Sequence, residues 1–300
     1  MTTMSALSAD RSPAPVVVLG SLNMDLIGRT VRFPEAGQTV LGSTFSTAPG
    51  GKGGNQAVAA ARAGATVRLV AALGDDAFAV ELRTHLQAAG VRTELVRTVP
   101  GASGVAMITV DDTAENTIVV LPGANGRLDA LDTATTAAIG RAGVLLAQLE
   151  VPPATVLAAA RTAREAGVPV ILNPSPAIDV PAELWPLVSV VVVNETEAAV
   201  YGNHLDAVDH LITTLGARGC TVRGPGGEVH AVEAFAVEPV DTTGAGDAFA
   251  GTLAAAWAAG VEPAQAVRRA CAAGALATTV PGAGTSAPTS SEVDALLAHS

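Results

Sequence analysis

The stretch VDTTGAGDAFAG, residues 240–251, places Gly244, Ala245 and Gly246 between threonines and Asp247, ahead of an alanine-rich run. A glycine turn entering a helix leaves backbone N–H groups without partners. Together with the helix dipole they form an anion site that needs no cation. Bare residues let the backbone approach such an anion closely, and a carboxylate beside it can take the proton of an attacking hydroxyl. That pattern suits phosphoryl transfer. The same residues also make an ordinary helix start with Asp247 as dipole partner, so the stretch alone does not decide.

A second glycine-rich segment, PGGKGGNQAVAAA, also opens a helix and carries the only lysine of the chain, Lys52. Gly53 follows it where a Walker loop needs Ser or Thr. Gln56 stands where the dinucleotide pattern needs its third glycine, so both phosphate motifs fail. A turn this bare can still bring Gly51, Lys52 and Asn55 close to a polyhydroxylated ligand, or it can be a flexible turn and nothing more. Other polar groups end apolar runs: Asn23 and Asp25 in SLNMDL, Glu150 in LLAQLE, and Asn194, Glu195 and Glu197 in VVVVNETE. The run LITTLGARG ends in a polar glycine loop in the same way. Each can be a strand-end cap. Together they gather at one edge of a sheet, where open α/β folds bind ligands.

The elements that must position these residues are legible. Runs such as PVVVLG, TVRLVAALG, VLLAQLE, VPVILNPS, VSVVVVNE and LITTLG alternate with alanine-rich helical stretches and with PAELWPLV. Strands apolar on both faces, separated by helices, predict an α/β fold: a doubly wound, mostly parallel sheet covered by helices on both sides. Residues about 22–47 and about 103–121 break that rhythm and read as antiparallel strands, the second a hairpin turning at DDTAEN. They predict a small separate β-sheet acting as a lid over the main sheet and excluding water. Residues 1–14 lack a cationic start and apolar core, so a flexible tail rather than a signal peptide is expected before a single domain over 15–300.

Composition narrows the function. The net charge of −11 argues against nucleic acid as a partner. No apolar run reaches the roughly 20 residues of a membrane helix. Cys220 and Cys271 follow no metal spacing and read as reduced core thiols. The histidines do not cluster and no G-x-S-x-G elbow is present, so a zinc site and a hydrolase triad lack support.

In this order, GSLNMDL, GGKGGNQAVAAARAGA, LGDDAFA, GVAMITV, LLAQLEVP, LNPSPA, VNETEA, TLGARG and DTTGAGDAF make the chain resemble the ribokinase family of carbohydrate kinases over residues 15–298. The resemblance implies ATP-dependent phosphorylation of a sugar, with ribose and its 5-hydroxyl favoured. Deoxyribose, a ketohexose or a nucleoside, or a sugar-binding relative without turnover, stand as alternatives. It further implies Asp247 as general base and Gly244–Ala245–Gly246 as the anion hole for the transferring phosphoryl group. Asn23, Asp25, Gly51, Lys52, Asn55 and Glu150 are implied at the sugar hydroxyls, with Ala106 and Ile108 touching the sugar from the lid. Asn194 and Glu197 are implied at the phosphates and hydrated Mg2+, and Thr214, Gly216, Arg218 and Gly219 in the nucleotide loop. A monovalent-cation site, usually K+, is implied at Asp241, Thr243, Ala277, Val280, Gly282 and Ser286. A homodimer through the β lid and a cytoplasmic location are implied as well. The chain departs from the family between NETEAAVYG and LITTLGARG, where NHLDAVDH replaces a longer segment with a covering helix. An uncovered apolar sheet face and a looser nucleotide loop are the expected costs.

Overall fold

The computed structural model describes residues 14–113 and 115–299. The tail expected over 1–14 therefore lies outside the described residues, apart from Ala14. The strands are β1 (Val16–Leu19), β2 (Asn23–Thr30), β3 (Gly42–Gly50), β4 (Val67–Leu73), β5 (Val96–Thr98), β6 (Gly104–Val110) and β7 (Asn116–Leu121). They continue with β8 (Val144–Ala147), β9 (Val170–Leu172), β10 (Val190–Asn194), β11 (His210–Thr214), β12 (Cys220–Arg223) and β13 (Val229–Val232). The helices are α1 (Lys52–Arg62), α2 (Ala77–Ala88), α3 (Thr133–Ile139), α4 (Pro153–Glu165), α5 (Glu195–Tyr201), α6 (Ala245–Ala258), α7 (Pro263–Ala277) and α8 (Ser290–Ala298).

A nine-stranded sheet runs β13-β12-β11-β10-β9-β8-β1-β4-β5. It is parallel from β5 to β11, and β12 and β13 close its edge as an antiparallel hairpin. Alternate residues of β1 divide the molecule. Val16 and Val18 join a core built with α1, α2, α6 and α7, while Val17 and Leu19 join one built with α3, α4 and α5. All four are fully buried, as a strand covered on both faces requires. The chain winds outward from β1 through β4 to β5, then returns to lay β8 on the other side of β1. The switch point, where open sheets bind ligands, therefore falls between β1 and β8.

The small sheet runs β3-β2-β6-β7. Its two ribbons are antiparallel as expected, but β2 and β6 join them in parallel register, so the sheet is mixed. β3 also extends to Gly50, beyond the expected boundary at 47, and hands the chain directly to Gly51 and α1. Segment PAELWPLV forms a 3-10 turn over Ala182–Leu187 rather than an α-helix; in an α-helix the Pro186 ring would clash with the Ala182 carbonyl.

Cys220 and Cys271 are buried and unlinked, with their sulfurs 3.4 Å apart. The short connection before β11 is α5 followed by a 3-10 turn over Gly202–Ala207. The uncovered sheet face expected there does not occur. Leu205 and Val208 are buried in the same cluster as Trp185 and Tyr201, and Leu211 of β11 packs against that cluster half-buried. Trp185 is the centre of this cover, meeting Tyr201 edge-on at 5.0 Å and stacking on His204 at 5.9 Å. Trp185→Ala is expected to cost about 3–5 kcal/mol of stability in urea unfolding, because it removes a large, fully buried ring from the centre of this cluster. A loss below about 1 kcal/mol would show that the shortened connection does not depend on this residue.

Candidate active site

The sugar-side candidates meet at the switch point. Glu150 follows β8, and its Oε2 accepts from the Ser21 hydroxyl, which follows β1. The same oxygen accepts from the Lys52 backbone N–H at 3.0 Å, tying the start of α1 to both strands. Asn23 is buried, and its Oδ1 accepts from Asn125 Nδ2 at 2.8 Å. Asp25 lies two residues further along β2. In the register of the small sheet Ala106 is opposite Asp25 and Ile108 is opposite Ile27, so Ala106 and Ile108 share the face that carries the Asp25 carboxyl. Burial, then the charges of Glu150 and Asp247, push the Asp25 carboxyl up from 3.8 to about 7.

Gly244 starts α6 with φ 77°, a left-handed conformation, and a Cβ there would meet the Ala283 Cα at 2.7 Å. Glycine is required at this position for both reasons. Gly246 differs: a Cβ there meets nothing within 4 Å, so packing does not ask for a glycine and the open side faces the cleft. Among the described residues, the backbone N–H groups of Gly244, Gly246 and Asp247 have no acceptor. Ala245 N–H, expected to be part of the anion hole, instead donates to the Thr242 carbonyl at 3.3 Å. The turn that sets up α6 uses this amide, and the free amides are those around it.

Asp247 itself is buried. Its Oδ2 accepts from Asn55 Nδ2 at 3.0 Å, and its Oδ1 accepts from Gln56 Nε2 at 2.9 Å. A cleft of about 160 Å³ opens in front of it, walled by Lys52, Asn173, Asn194, Glu197, Thr214, Gly244 and Gly246. Burial opposes charge on Lys52, but the surrounding Asp247, Glu150 and Glu197 carboxylates outweigh it and hold the ammonium above the usual lysine range.

Asn194 and Glu197 face the cleft as a capping box for α5. Asn194 Oδ1 accepts from the Glu197 N–H at 2.8 Å, and Glu197 Oε2 accepts from the Asn194 N–H at 3.0 Å. Thr214 ends β11, donating to the Val193 carbonyl at 3.3 Å. Gly216, Arg218 and Gly219 lie in the turn just after it, outside the cleft walls, and Arg218 pairs with Glu195 at 2.6 Å on the surface. The cation-site candidates form two neighbouring loops beside the α6 mouth. Asp241 accepts from Thr243 N–H and Gly282 N–H, each at 2.9 Å. Burial opposes its charge, yet these bonds hold its carboxyl below the usual range. Ser286 is buried with its hydroxyl on the Ala283 carbonyl, and the Ala277 carbonyl ends α7. Val280 is exposed, and its N–H donates to the Ala277 carbonyl at 3.5 Å.

Several residues here carried no functional signal in the sequence. In the sequence Gln56 stands out only as the residue in place of a motif glycine. Asn173, Gln148, Asn125 and Ser21 are single polar residues inside apolar runs or loops. Only their convergence in space sets them apart from ordinary caps.

The model of the pfkB family of carbohydrate kinases matches residues 14–290. The chain belongs to this family. As a pfkB-family kinase it is 38% identical to the ribokinase of Schizosaccharomyces pombe over 306 aligned positions, covering 93% of this chain and 96% of the relative. It is also 38% identical to the ribokinase of Bacillus subtilis, covering 94% and 99%. The fold overlays a solved Arabidopsis thaliana ribokinase in complex with ribose and ATP at TM-score 0.89 and 30% identity, covering 95% and 99% of the two chains. The α/β fold of this chain is thus shared with that solved ribokinase over nearly its whole length.

The Asp25 environment gives a test with a definite sign. A carboxyl raised in the fold above its unfolded value contributes stability while neutral, and that stability is lost as pH rises toward and through about 7. Asparagine loses nothing over that range. The melting temperature of Asp25→Asn, relative to the parent protein, is expected to be higher at pH 8 than at pH 5. An equal difference at both pH values would contradict the burial of this carboxyl.

Proposed function

We propose that this kinase transfers the γ-phosphoryl group of ATP to the 5-hydroxyl of D-ribose, releasing ADP and ribose 5-phosphate. The observation that carries the reading is the pairing of free backbone amides at the mouth of α6 with a buried carboxylate, Asp247, clamped in place beside them. Asp247 takes the proton of the 5-hydroxyl as its oxygen attacks the γ-phosphorus. The bond to the β,γ-bridging oxygen breaks, and ADP leaves with that electron pair. The amides of Gly244, Gly246 and Asp247 face the charge on the transferring group. Asn23, Asp25, Lys52, Asn55 and Glu150 hold the sugar hydroxyls at the switch point, while Gly51 keeps the backbone close. Ala106 and Ile108 cover the apolar side of the ring from the small sheet, which serves as a lid over residues 22–47 and 103–121. A cleft this small and carboxylate-rich fits a polyhydroxylated neutral acceptor better than an anionic one.

The nucleotide lies along Thr214, Gly216, Arg218 and Gly219. Glu197 fits a hydrated Mg2+ ion, because only Oε2 is used by the helix cap and Oε1 has no protein partner among the described residues. Asn194 and Glu197 would hold the hydrated ion, which neutralises charge on the phosphates when bound. The oxygen-only set of Asp241, Thr243, Ala277, Val280, Gly282 and Ser286 suits a hard monovalent cation such as K+. Its loops end against Gly244, so holding such an ion would stiffen the anion site. The exposed apolar residues Phe45, Met107 and Val119 on one face of the small sheet support a homodimer formed through the lid. No described helix is long and apolar enough to cross a membrane. A need for ATP fits a cytoplasmic enzyme.

ADP release with ATP, Mg2+ and D-ribose tests the proposal, run with and without K+ and beside deoxyribose, fructose and adenosine. Ribose-dependent turnover that rises with K+ is expected. Preference for another acceptor would move the specificity and keep the mechanism. Asp247→Asn is expected to lower kcat by about 10²-fold or more with sugar affinity little changed. A variant that keeps more than about a tenth of the rate would remove Asp247 from the role of base.

A further inference from the structure

We propose that Gln56 is a positioning residue for phosphoryl transfer. Held in one orientation by Gln148 and Asn173, it fixes the plane of the Asp247 carboxylate for the attacking hydroxyl. The inference rests on the reading of Asp247 as the base.

Gln56 is completely buried, and its amide is spent within the protein. One Nε2 hydrogen goes to Asp247 Oδ1 at 2.9 Å and the other to Asn173 Oδ1 at 3.0 Å. Its Oε1 accepts from Gln148 Nε2 at 2.5 Å. Asn173 is fixed in turn, donating to the Val192 carbonyl at 2.9 Å. A flipped Gln56 amide would set its oxygen against the Asp247 carboxylate and the Asn173 oxygen at once. Gln148 imposes the same orientation from behind, since reversing it would bring two carbonyl oxygens face to face. The Gln148 Oε1 is buried without a partner among the described residues, so the orientation of Gln148 serves the bond to Gln56 and not its own satisfaction.

Consecutive helical residues point about 100° apart. Asn55 and Gln56 therefore converge on one carboxylate only because Asp247 lies across the face of α1 between them. Each holds a different oxygen of the carboxylate, so the group cannot turn about its Cβ–Cγ bond while one lone pair on each oxygen stays available. A misplacement of 1 Å can cost about 10² in rate, which sets the scale of the expected effect.

Gln56→Met keeps the length and removes both donors. Its kcat is expected to fall about 10- to 100-fold, with KM for ribose and ATP within about threefold of the parent. Gln148→Met leaves the donors in place and frees only the rotation of Gln56, so a smaller fall of about 3- to 10-fold is expected. The double variant should be no slower than Gln56→Met alone, because both act through one orientation. An unchanged kcat, a KM that rises as far as kcat falls, or effects that multiply would overturn the assignment. If Gln56→Met does not fold, Gln148→Met decides, and its parental kcat would overturn the proposal. A crystal structure of whichever variant folds reads the same point without turnover: the Asp247 carboxylate should leave its plane while the backbones of α1 and α6 stay in place. A parent protein inactive on every acceptor, with the carboxylate displaced in the variant, would refute the kinase reading and keep the positioning. An unmoved carboxylate would refute the positioning alone.

Discussion

Helices α1 and α6 meet at Gly251, where a Cβ would lie 2.4 Å from the Gln56 carbonyl oxygen and 2.6 Å from the Ala59 Cβ. Side chains normally keep helix axes about 8–10 Å apart. The alanines and this glycine bring the helices closer than larger residues could, one turn beyond Asp247. That closeness lets two carboxamides of α1 reach a carboxylate on α6. The start of α1 is tied through Lys52 and Glu150 to the switch point of the sheet, and α6 is tied through Gly244 to the loop at Ala283. A single helix contact thus sets the base, the anion site and the sugar side in one frame.

The charge distribution follows from the same economy. Glu150, Glu197 and Asp247 surround Lys52, the single lysine of the chain, and Asp25 feels the charges of Glu150 and Asp247, so a phosphoryl group must enter beside several carboxylates. Amides and a helix dipole supply positive potential without adding a side chain that would pair off with the base. The strong interaction of Lys52 with its carboxylates keeps that ammonium charged despite burial. It also leaves the backbone at Gly246 as the surface an incoming anion can approach most closely.

The fold was legible because strands buried on both faces read as unbroken β-branched runs, as VVVL in β1 shows. The parallel join between β2 and β6 was not legible. Alternation within each ribbon is the same whichever way the neighbour runs, and only tertiary packing chooses. Asp247 and its glycines were legible because a helix mouth needs particular residue types in sequence. Gln56 was not, because its role depends on residues 148, 173 and 247, which no local pattern connects. The expected gap over the sheet before β11 failed for a related reason. A 3-10 turn with Leu205 and Val208, set against Trp185 from another connection, covers what a missing helix would have covered. Counting residues in one crossover cannot reveal help from another.

The most direct measurement is a crystal structure of the protein with D-ribose and a non-hydrolysable ATP analogue. The 5-hydroxyl is expected within hydrogen-bond distance, about 3 Å, of an Asp247 oxygen, with the γ-phosphate on the amides of Gly246 and Asp247. A γ-phosphate held by Lys52 away from the α6 mouth, or a sugar whose hydroxyls do not reach Asp247, would contradict that arrangement.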